Sequence, residues 1–256
     1  MAKFADITGW GKCVPPAIMT NDDLASVIET SDEWIRTRSG ISERRVSHVP
    51  NSDLAAVAGL RALACAGVEP EEVDLLILAT TSGDNIIPST AAYVQAKTGT
   101  KNAAVFDLNA GCSGFLYSLE AATAMIQAAG YKKVLVIGSE RLTWLFNFSL
   151  RDTAVLFGDG AGAVVLEPSE QECGLISAHL GCEGEMAHVL EVPNTGTAGN
   201  RFIENYGIFD VNFDGREIFR RAVKGMAAEV RKVMADLELE NEDIDLIIPH
   251  QANQRI

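Results

Sequence analysis

The chain has 256 residues, of which 47% are hydrophobic and 22% are charged, so it carries enough apolar material for one large domain or two ordinary ones. No apolar run reaches the roughly 18 residues that a membrane span needs, and the N-terminus lacks the long apolar stretch of a secretory signal. The net charge of −14 argues against a nucleic-acid partner. We therefore expect a globular protein that binds neither nucleic acid nor membrane.

The cysteines do not form a disulfide framework. There are five of them, an odd number, scattered at positions 13, 65, 112, 173 and 182, which is atypical of a disulfide-rich domain. We therefore predict a cytoplasmic protein with reduced thiols. The spacing of Cys173, His179, Cys182 and His188 matches none of the usual short-spaced zinc pairs, so no metal site is predicted.

The first part of the chain predicts a strand, helices and a charged loop. In chain order these are a short strand at 3–10, a helix at 20–29 with Asn21 as its cap, a charge-rich loop at 30–45 around Trp34, and a helix that Ser52 caps and Gly67 ends. The cap and the terminal glycine are the usual punctuation of a helix.

The middle of the chain alternates strands with helices. The predicted elements are a strand at 73–80, a helix at 88–99, a strand at 103–108, a helix from 115 and a strand at 134–138. Apolar runs of this kind suit strands that are buried on both faces. The alternation predicts an α/β fold, with a mainly parallel sheet and helices on its faces.

The next stretch predicts a β-hairpin. Two apolar runs, Ala154–Phe157 and Ala161–Leu166, flank Gly158-Asp-Gly160 and are typical of paired strands. The glycine spacing invites a dinucleotide-binding interpretation, but that fingerprint requires a helix after the glycines, whereas a strand is predicted here. A further strand is predicted at 175–180.

Cys112 lies where a strand is predicted to end and a helix to begin. Unpaired backbone N–H groups and the positive end of the helix dipole meet at such a junction. They favour the thiolate and lower the pKa of a cysteine, which predicts an activated nucleophile. The alternative is a small apolar residue packed into a sharp turn.

Two distant stretches have the same pattern. Residues 71–78 and 242–249 each place an acidic run before an apolar one, and each follows an amphipathic helix. A duplicated half-fold explains this, and chance similarity is the alternative. Duplication predicts one half at 1–170 and a second half at 171–256 that is incomplete in this chain.

His250 follows the second of these apolar runs. A strand over 245–248 would place it at a strand-to-helix corner, as Cys112 is placed in the first half. Ligands bind outside the carboxyl ends of strands in such sheets, so the two corners are expected to converge. A thiolate and an imidazole together supply the groups for acyl transfer through a thioester. The alternative is that His250 is a structural or surface residue.

A predicted helix over 216–237 carries a basic stripe on one side. Its members are Arg216, Arg220, Arg221 and Lys224. Such a stripe is usually a solvated face. On a chain this acidic, it is also the candidate docking surface for an acidic partner.

Three motifs carry a resemblance to a known family. Asn109-Ala-Gly-Cys112-Ser-Gly-Phe, Phe157-Gly-Asp-Gly-Ala-Gly-Ala and Pro249-His250-Gln-Ala-Asn253 resemble β-ketoacyl-acyl-carrier-protein synthase III, a thiolase-like condensing enzyme. Thr30-Ser-Asp-Glu-Trp34-Ile and Thr37-Arg38-Ser-Gly-Ile match its N-terminal signature. The resemblance implies a thiolase-like α/β fold of two pseudo-symmetric halves, layered αβαβα, and a homodimer.

The resemblance also implies a reaction. A primer acyl-CoA acylates Cys112. A malonyl group on acyl carrier protein then loses carbon dioxide and attacks the thioester, while His250 stabilises the enolate. This initiates fatty acid biosynthesis, and acyl-CoA is a substrate, so no cofactor is expected.

The remaining site residues are also implied by the resemblance. Coenzyme A is gripped by Trp34, Arg38 and Arg151, and Ile87 lies where a partner subunit shapes the acyl pocket. The carrier protein is contacted by Gln251, Ala252, Asn253, Gln254 and Arg255, with Arg220 as a basic docking position. The second catalytic asparagine and the glycine-rich loop of the family are expected beyond Ile256.

Other functions remain open from the sequence. They are a related condensing enzyme or acyltransferase of specialised lipid or polyketide synthesis, an acyl-thioester hydrolase, and a non-enzymatic acyl-binding partner. The presence of both Cys112 and His250 argues against the last.

Overall fold

A computed structural model describes residues 4–193 and 211–256. Its strands are β1 (Phe4–Cys13), β2 (Ala17–Thr20), β3 (Glu43–Val46), β4 (Leu75–Ala79), β5 (Ala104–Leu108), β6 (Val134–Arg141), β7 (Asp159–Ser169), β8 (Leu190–Glu191) and β9 (Asn212–Phe213). Its α-helices are α1 (Asn21–Ala25), α2 (Asp32–Ser39), α3 (Asn51–Ala66), α4 (Thr90–Thr98), α5 (Gly114–Ala129), α6 (Leu142–Leu145), α7 (Arg151–Ala154) and α8 (Gly215–Asp236).

The main sheet has five strands in the order β1-β7-β6-β4-β5. Strand β4 is parallel to β5 and to β6, as the alternation of strands and helices predicts. Strand β7 runs antiparallel to both β6 and β1, so the sheet is mixed. The carboxyl ends of β4, β5 and β6 consequently meet at one edge.

Helices cover both faces of this sheet. On one face Ala58 of α3 packs in the same cluster as Leu78 of β4. On the other face Ala122 of α5 packs with Ile77 of β4. All five residues of β4 are buried, which explains why its sequence is an unbroken apolar run rather than an alternating one.

The chain forms two compact units. The first comprises residues 1–18, 45–142 and 158–178 and contains the five-stranded sheet; the second comprises residues 19–44, 143–157 and 179–256. The division into halves at 1–170 and 171–256 stays a prediction, and residues 194–210 of its second part lie outside the described residues.

The predicted loop at 30–45 is wrong in most of its length, because α2 occupies Asp32–Ser39 and strand β3 begins at Glu43. The Ser31 hydroxyl accepts a hydrogen bond from the Trp34 N–H at 3.1 Å, and Gly40, with φ +79°, ends the helix. Acidic residues in the first turn and basic residues in the last turn complement the helix dipole. The cap signals were therefore present in the sequence, although the high charge suggested a loop.

The predicted hairpin is also wrong. Residues 151–154 form α7, and only the second apolar run belongs to a strand, β7, which pairs with β6 and β1 instead. Ala154 and Val155 are buried in a small apolar cluster with Leu24 and Ile35. The first apolar run has the length and composition of a strand, but its apolar side chains are buried against helices instead of in a sheet.

The strands predicted at 175–180 and 245–248 are absent from the described residues. A strand needs a neighbour with which to form its ladder of hydrogen bonds. Within the described parts of the chain no strand forms such a ladder with either segment, and a single bridge joins Ala5 of β1 to Gly174 just before the first. The side chains of Leu246, Ile247 and Ile248 are 73%, 56% and 78% exposed.

The predicted helix caps lie one residue from the observed cap in α1 and two residues from the observed cap, Pro50, in α3. Thr20, and not Asn21, accepts the capping hydrogen bond of α1. Helix α3 begins at Asn51, and the Ser52 hydroxyl instead accepts from the Lys97 ammonium at 2.7 Å.

Among the helices of the described residues, none is both long and apolar enough to cross a bilayer.

Candidate active site

Cys112 lies at the junction of strand and helix that its sequence context predicts. Strand β5 ends at Leu108, a short 3-10 turn spans Gly111–Ser113, and α5 begins at Gly114. Gly111 has φ +56°, a conformation that glycine adopts without steric cost. Cys112 is a free cysteine and an exposed residue, although neighbouring protein atoms surround much of its thiol.

The surroundings of Cys112 raise the pKa of its thiol. Desolvation by neighbouring protein atoms is the largest cause, the negative charge of Glu140 is the second, and a backbone hydrogen bond acts weakly in the opposite direction. The prediction that the helix start lowers this pKa is therefore wrong for these surroundings. A proton acceptor has to take the thiol proton when the sulfur attacks.

Glu140, near the end of β6, is the acidic group of this site. Its carboxylate accepts hydrogen bonds from the Thr81 N–H at 2.7 Å, the Thr81 hydroxyl at 3.1 Å and the Ser82 N–H at 3.1 Å, and from the Ser82 hydroxyl. Burial raises the pKa of Glu140, and these hydrogen bonds oppose the shift.

Glu140 is a site residue that was not predicted from the sequence, although a signal for it existed. Ser139 and Glu140 directly follow the apolar run Val134–Gly138. Polar residues after a buried strand lie at the carboxyl edge of the sheet, where ligands bind.

A buried polar cluster fixes this edge of the sheet. The Asn51 amide donates to the Thr80 hydroxyl at 2.9 Å and to the Ser139 carbonyl at 3.0 Å. The Ser139 hydroxyl donates back to Asn51 Oδ1 at 2.6 Å. The start of α3 is thereby tied to the ends of β4 and β6.

Ile87 lies in the loop between β4 and α4. The end of this loop is held by Asp107, whose carboxylate accepts from the backbone N–H groups of Thr90 and Ala91 at 2.6 and 2.7 Å. The side chains of Ile86 and Ile87 are 83% and 86% exposed. The acyl-pocket role of Ile87 stays a prediction.

The second unit brings the three predicted coenzyme A residues together. The guanidinium carbon of Arg151 lies 4.7 Å from the centre of the Trp34 ring, and that of Arg38 lies 5.6 Å from it. Both distances are within the range of cation–π attraction. The result is an indole flanked by two cations, which we call the Trp34 cluster.

The predicted carrier-protein segment, residues 251–255, contacts the end of α2. The Asn253 amide donates to the Arg38 carbonyl at 2.9 Å, and the Gln254 N–H donates to the Ser39 carbonyl at 2.9 Å. The Arg255 guanidinium lies 5.5 Å from the Phe219 ring centre. Gln251 and Ala252 are exposed.

Arg220 is exposed on α8 but is not a free cation. Its guanidinium donates to both carboxylate oxygens of Glu217, at 2.6 and 3.0 Å, and these bonds raise the pKa of Arg220 further. Arg221 also donates to Glu217, at 2.7 Å. The predicted basic stripe is therefore partly neutralised.

His250 is solvent-exposed in an irregular segment. Neither the predicted strand before it nor a helix after it is present. Cys112 belongs to the first unit and His250 to the second. That their side chains converge on one substrate stays a prediction.

No cluster of three or more His, Cys, Asp or Glu side chains able to hold a metal occurs in residues 4–193 and 211–256.

Comparison with known proteins decides the family. The family model of 3-oxoacyl-[acyl-carrier-protein] synthase III matches residues 106–184, a span that includes Cys112, Glu140 and Arg151. The chain is 54% identical over 253 residues to β-ketoacyl-[acyl-carrier-protein] synthase III 2 of Vibrio cholerae, covering 99% of this chain and 70% of that protein. The chain belongs to the β-ketoacyl-acyl-carrier-protein synthase III family.

Other members show the same relationship. The synthase III of Clostridium acetobutylicum is 47% identical, covering 98% of this chain and 78% of its own. The crystal structure of the Aquifex aeolicus synthase III superposes with a TM-score of 0.89 at 40% identity, covering 98% of this chain and 78% of that one. The priming β-ketosynthase of the R1128 polyketide pathway gives 0.91 at 31% identity, covering 99% and 76%.

Membership in the synthase III family confirms several predictions. The fold class is thiolase-like α/β, and the chain is a condensing enzyme of the acyltransferase type. The predicted condensation, which initiates fatty acid synthesis, is likewise confirmed, and the alternatives, including an enzyme of specialised lipid or polyketide synthesis and a hydrolase, are not favoured.

Proposed function

We propose that this chain condenses a primer acyl group from acyl-CoA with malonyl-acyl carrier protein through a thioester on Cys112. The observation that carries the proposal is the position of Cys112: a free cysteine just before α5, at the sheet edge where β4, β5 and β6 end. The carrier protein is proposed as a substrate because the names of the relatives include it.

The reaction has two steps. The Cys112 thiol gives up its proton to solvent or a base as its sulfur attacks the acyl-CoA carbonyl carbon, the coenzyme A thiolate leaves and takes up a proton in turn, and an acyl-enzyme forms. The malonyl group then loses carbon dioxide, and the resulting carbanion attacks the acyl-enzyme, releasing the Cys112 thiolate. We assign to His250 the donation of a hydrogen bond to the enolate oxygen during decarboxylation.

We assign coenzyme A binding to the Trp34 cluster. An indole face offers a stacking surface for the adenine ring, and two guanidinium groups offer forked donors for phosphate oxygens. The contact of Trp34 with both Arg38 and Arg151 supports this assignment. The apolar acyl chain is assigned to a pocket that Ile87 helps to line.

We assign carrier-protein docking to residues 251–255 and Arg220. An acidic carrier needs a local basic surface on a chain of net charge −14. Arg220 is exposed, and Arg255 lies against Phe219 of the same helix.

We also propose a cytoplasmic homodimer. The exposed Ile86 and Ile87 side chains are the kind of apolar surface that a subunit interface buries. The five free cysteines agree with a reducing compartment. Light scattering coupled to gel filtration measures the mass of the particle, and a monomer at working concentrations would reject the dimer.

The nucleophile is tested by intact-mass spectrometry after incubation with acetyl-CoA and longer acyl-CoA primers. We expect the wild-type protein to gain one acyl group and Cys112→Ser to gain none. Cys65→Ser is the matched control, because Cys65 is also free and exposed, and it should acylate normally. Normal acylation of Cys112→Ser rejects the assignment.

A further inference from the structure

A buried arginine is hydrogen-bonded to segments that adjoin the helices of the Trp34 cluster. Arg44 on β3 is only 4% exposed, which is rare for a side chain that carries a permanent charge. Its Nε and Nη2 atoms donate to the Val155 carbonyl at 3.1 and 2.5 Å, and Nη1 donates to the Asn21 side-chain oxygen at 2.6 Å. The guanidinium fork therefore joins two segments that are distant in sequence.

Each of these two segments is connected to a helix that carries a residue of the Trp34 cluster. Val155 directly follows α7, the short helix that begins with Arg151. Asn21 donates from its amide to Asp32 Oδ1 at 2.7 Å, and Asp32 is the first residue of α2, which carries Trp34. A continuous chain of hydrogen bonds thus runs from the helix of Arg151 through Arg44 to the helix of Trp34.

The partners of Arg44 suit a role in positioning rather than in charge pairing. Across residues 4–193 and 211–256 both of its hydrogen-bond acceptors are neutral, and no carboxylate forms an ion pair with it. A buried ion held by neutral groups alone is unfavourable compared with an apolar residue of the same size. Its planar fork supplies donors in several fixed directions, which a lysine ammonium does not reproduce.

We propose that Arg44 is a positioning residue that sets the spacing of Trp34 and Arg151 and thereby the affinity for the coenzyme A part of the primer. The inference rests on the proposed coenzyme A role of the Trp34 cluster. Arg44 touches no substrate. It acts through the Val155 carbonyl on one side and through Asn21 and Asp32 on the other.

The first measurement requires no substrate. In a Trp10→Phe, Trp144→Phe background, Trp34 is the remaining tryptophan of the three in the chain, and acrylamide quenching reports its accessibility. We expect Arg44→Lys and Arg44→Met to increase quenching, because loss of the fork loosens the contact with Arg151. Arg45→Lys is the matched control; it lies next along β3 and donates to the Pro15 carbonyl, so it should leave quenching unchanged.

The second measurement is steady-state kinetics in the otherwise wild-type protein. We expect Arg44→Lys to raise KM for acyl-CoA about tenfold, which is about 1.4 kcal/mol of binding, while kcat changes little. Trp34→Ala should raise the same KM. Melting temperatures of all variants separate a general loss of folding from this specific effect.

Four outcomes decide the matter. Increased quenching together with a KM effect supports the inference. Unchanged quenching and KM in Arg44→Lys, or a fall in melting temperature with loss of kcat and no KM effect, overturns the positioning role. Increased quenching with normal KM in both Arg44→Lys and Trp34→Ala overturns the proposed coenzyme A site, and the positioning role in substrate affinity falls with it.

Discussion

The carboxyl group of Glu140 shapes the chemistry of the Cys112 thiol. Both residues belong to the first compact unit, and the negative charge of Glu140 raises the pKa of Cys112 in addition to desolvation. Burial also raises the pKa of Glu140 itself, so its negative charge develops at a higher pH than that of an exposed glutamate. The reactivity of the thiol is therefore coupled to the protonation of this carboxyl group.

Replacement of Glu140 by glutamine should lower the pKa of Cys112, because the change removes a negative charge that opposes the thiolate. The rate of alkylation of Cys112 by iodoacetamide, measured against pH, should then rise at lower pH than in the wild type. Cys112→Ser identifies the part of the signal that belongs to other thiols. A profile that coincides with that of the wild type contradicts the coupling.

At the scale of elements, the end of α2 connects two predicted binding regions. Helix α2 carries Trp34 and Arg38, and its last carbonyl groups accept hydrogen bonds from Asn253 and Gln254. Gly40 makes this contact possible, since a Cβ atom placed there would collide with the Gln254 side chain.

Gly40→Ala should lower the free energy of unfolding by more than the cost of placing an alanine in a left-handed backbone conformation. With φ +79° at Gly40, an alanine costs about 1–2 kcal/mol in the left-handed region, and displacement of Gln254 adds to this. Gly67→Ala is the matched control, because Gly67 has φ +67° and no atom within 4 Å of the added Cβ. Urea unfolding measures both, and an equal loss in the two variants shows that the contact with Gln254 contributes nothing.

Asp107 connects β5, the strand that leads to Cys112, with the start of α4. Asp107→Ala leaves the N–H groups of Thr90 and Ala91 without their acceptor and should cost about 1–2 kcal/mol, the usual loss for a helix cap. Asp53→Ala is the control. Asp53 pairs with Lys97 on a partly exposed surface, so its removal should cost less than about 1 kcal/mol.

The free energies of unfolding of these two variants give the comparison. If Asp107→Ala is no more destabilising than Asp53→Ala, the two hydrogen bonds to the start of α4 are not important for stability.

For the whole molecule, the balance of charge sets a condition on any acidic partner. The chain carries 35 acidic and 21 basic residues, so its overall field repels an acidic protein and only a local basic surface attracts one. Arg220 is paired with Glu217 on an exposed face, which reduces but does not cancel its contribution.

The KM for malonyl-acyl carrier protein should therefore rise with salt, because ions screen exposed charges over about 10 Å at 0.1 M. Arg220→Ala should raise this KM several-fold at low salt and flatten its salt dependence, since a rim charge acts mainly on association. Arg231→Ala, on the same helix and also exposed, is the control. Identical salt dependence in the two variants rejects Arg220 as a docking position.

Local patterns in the sequence were sufficient for much of the fold. The apolar run of β4, the glycine that ends α3 and the junction at Cys112 all depend on residues close together in the chain. Hydrophobic periodicity and helix caps report such structure directly. The motifs around Cys112 and His250 likewise sufficed to predict the family and the condensation.

Only the tertiary structure decided the properties that depend on distant residues. Three such contacts join positions that are far apart in the chain. They are the hydrogen bonds of Glu140 to the loop after β4, those of Arg44 to Val155 and Asn21, and those of residues 251–255 to the end of α2. The raised pKa of Cys112 belongs with these, because its two largest causes, desolvation and the charge of Glu140, come from residues that are distant along the chain. A sequence pattern records which groups are neighbours along the chain, whereas burial and charge act between neighbours in space.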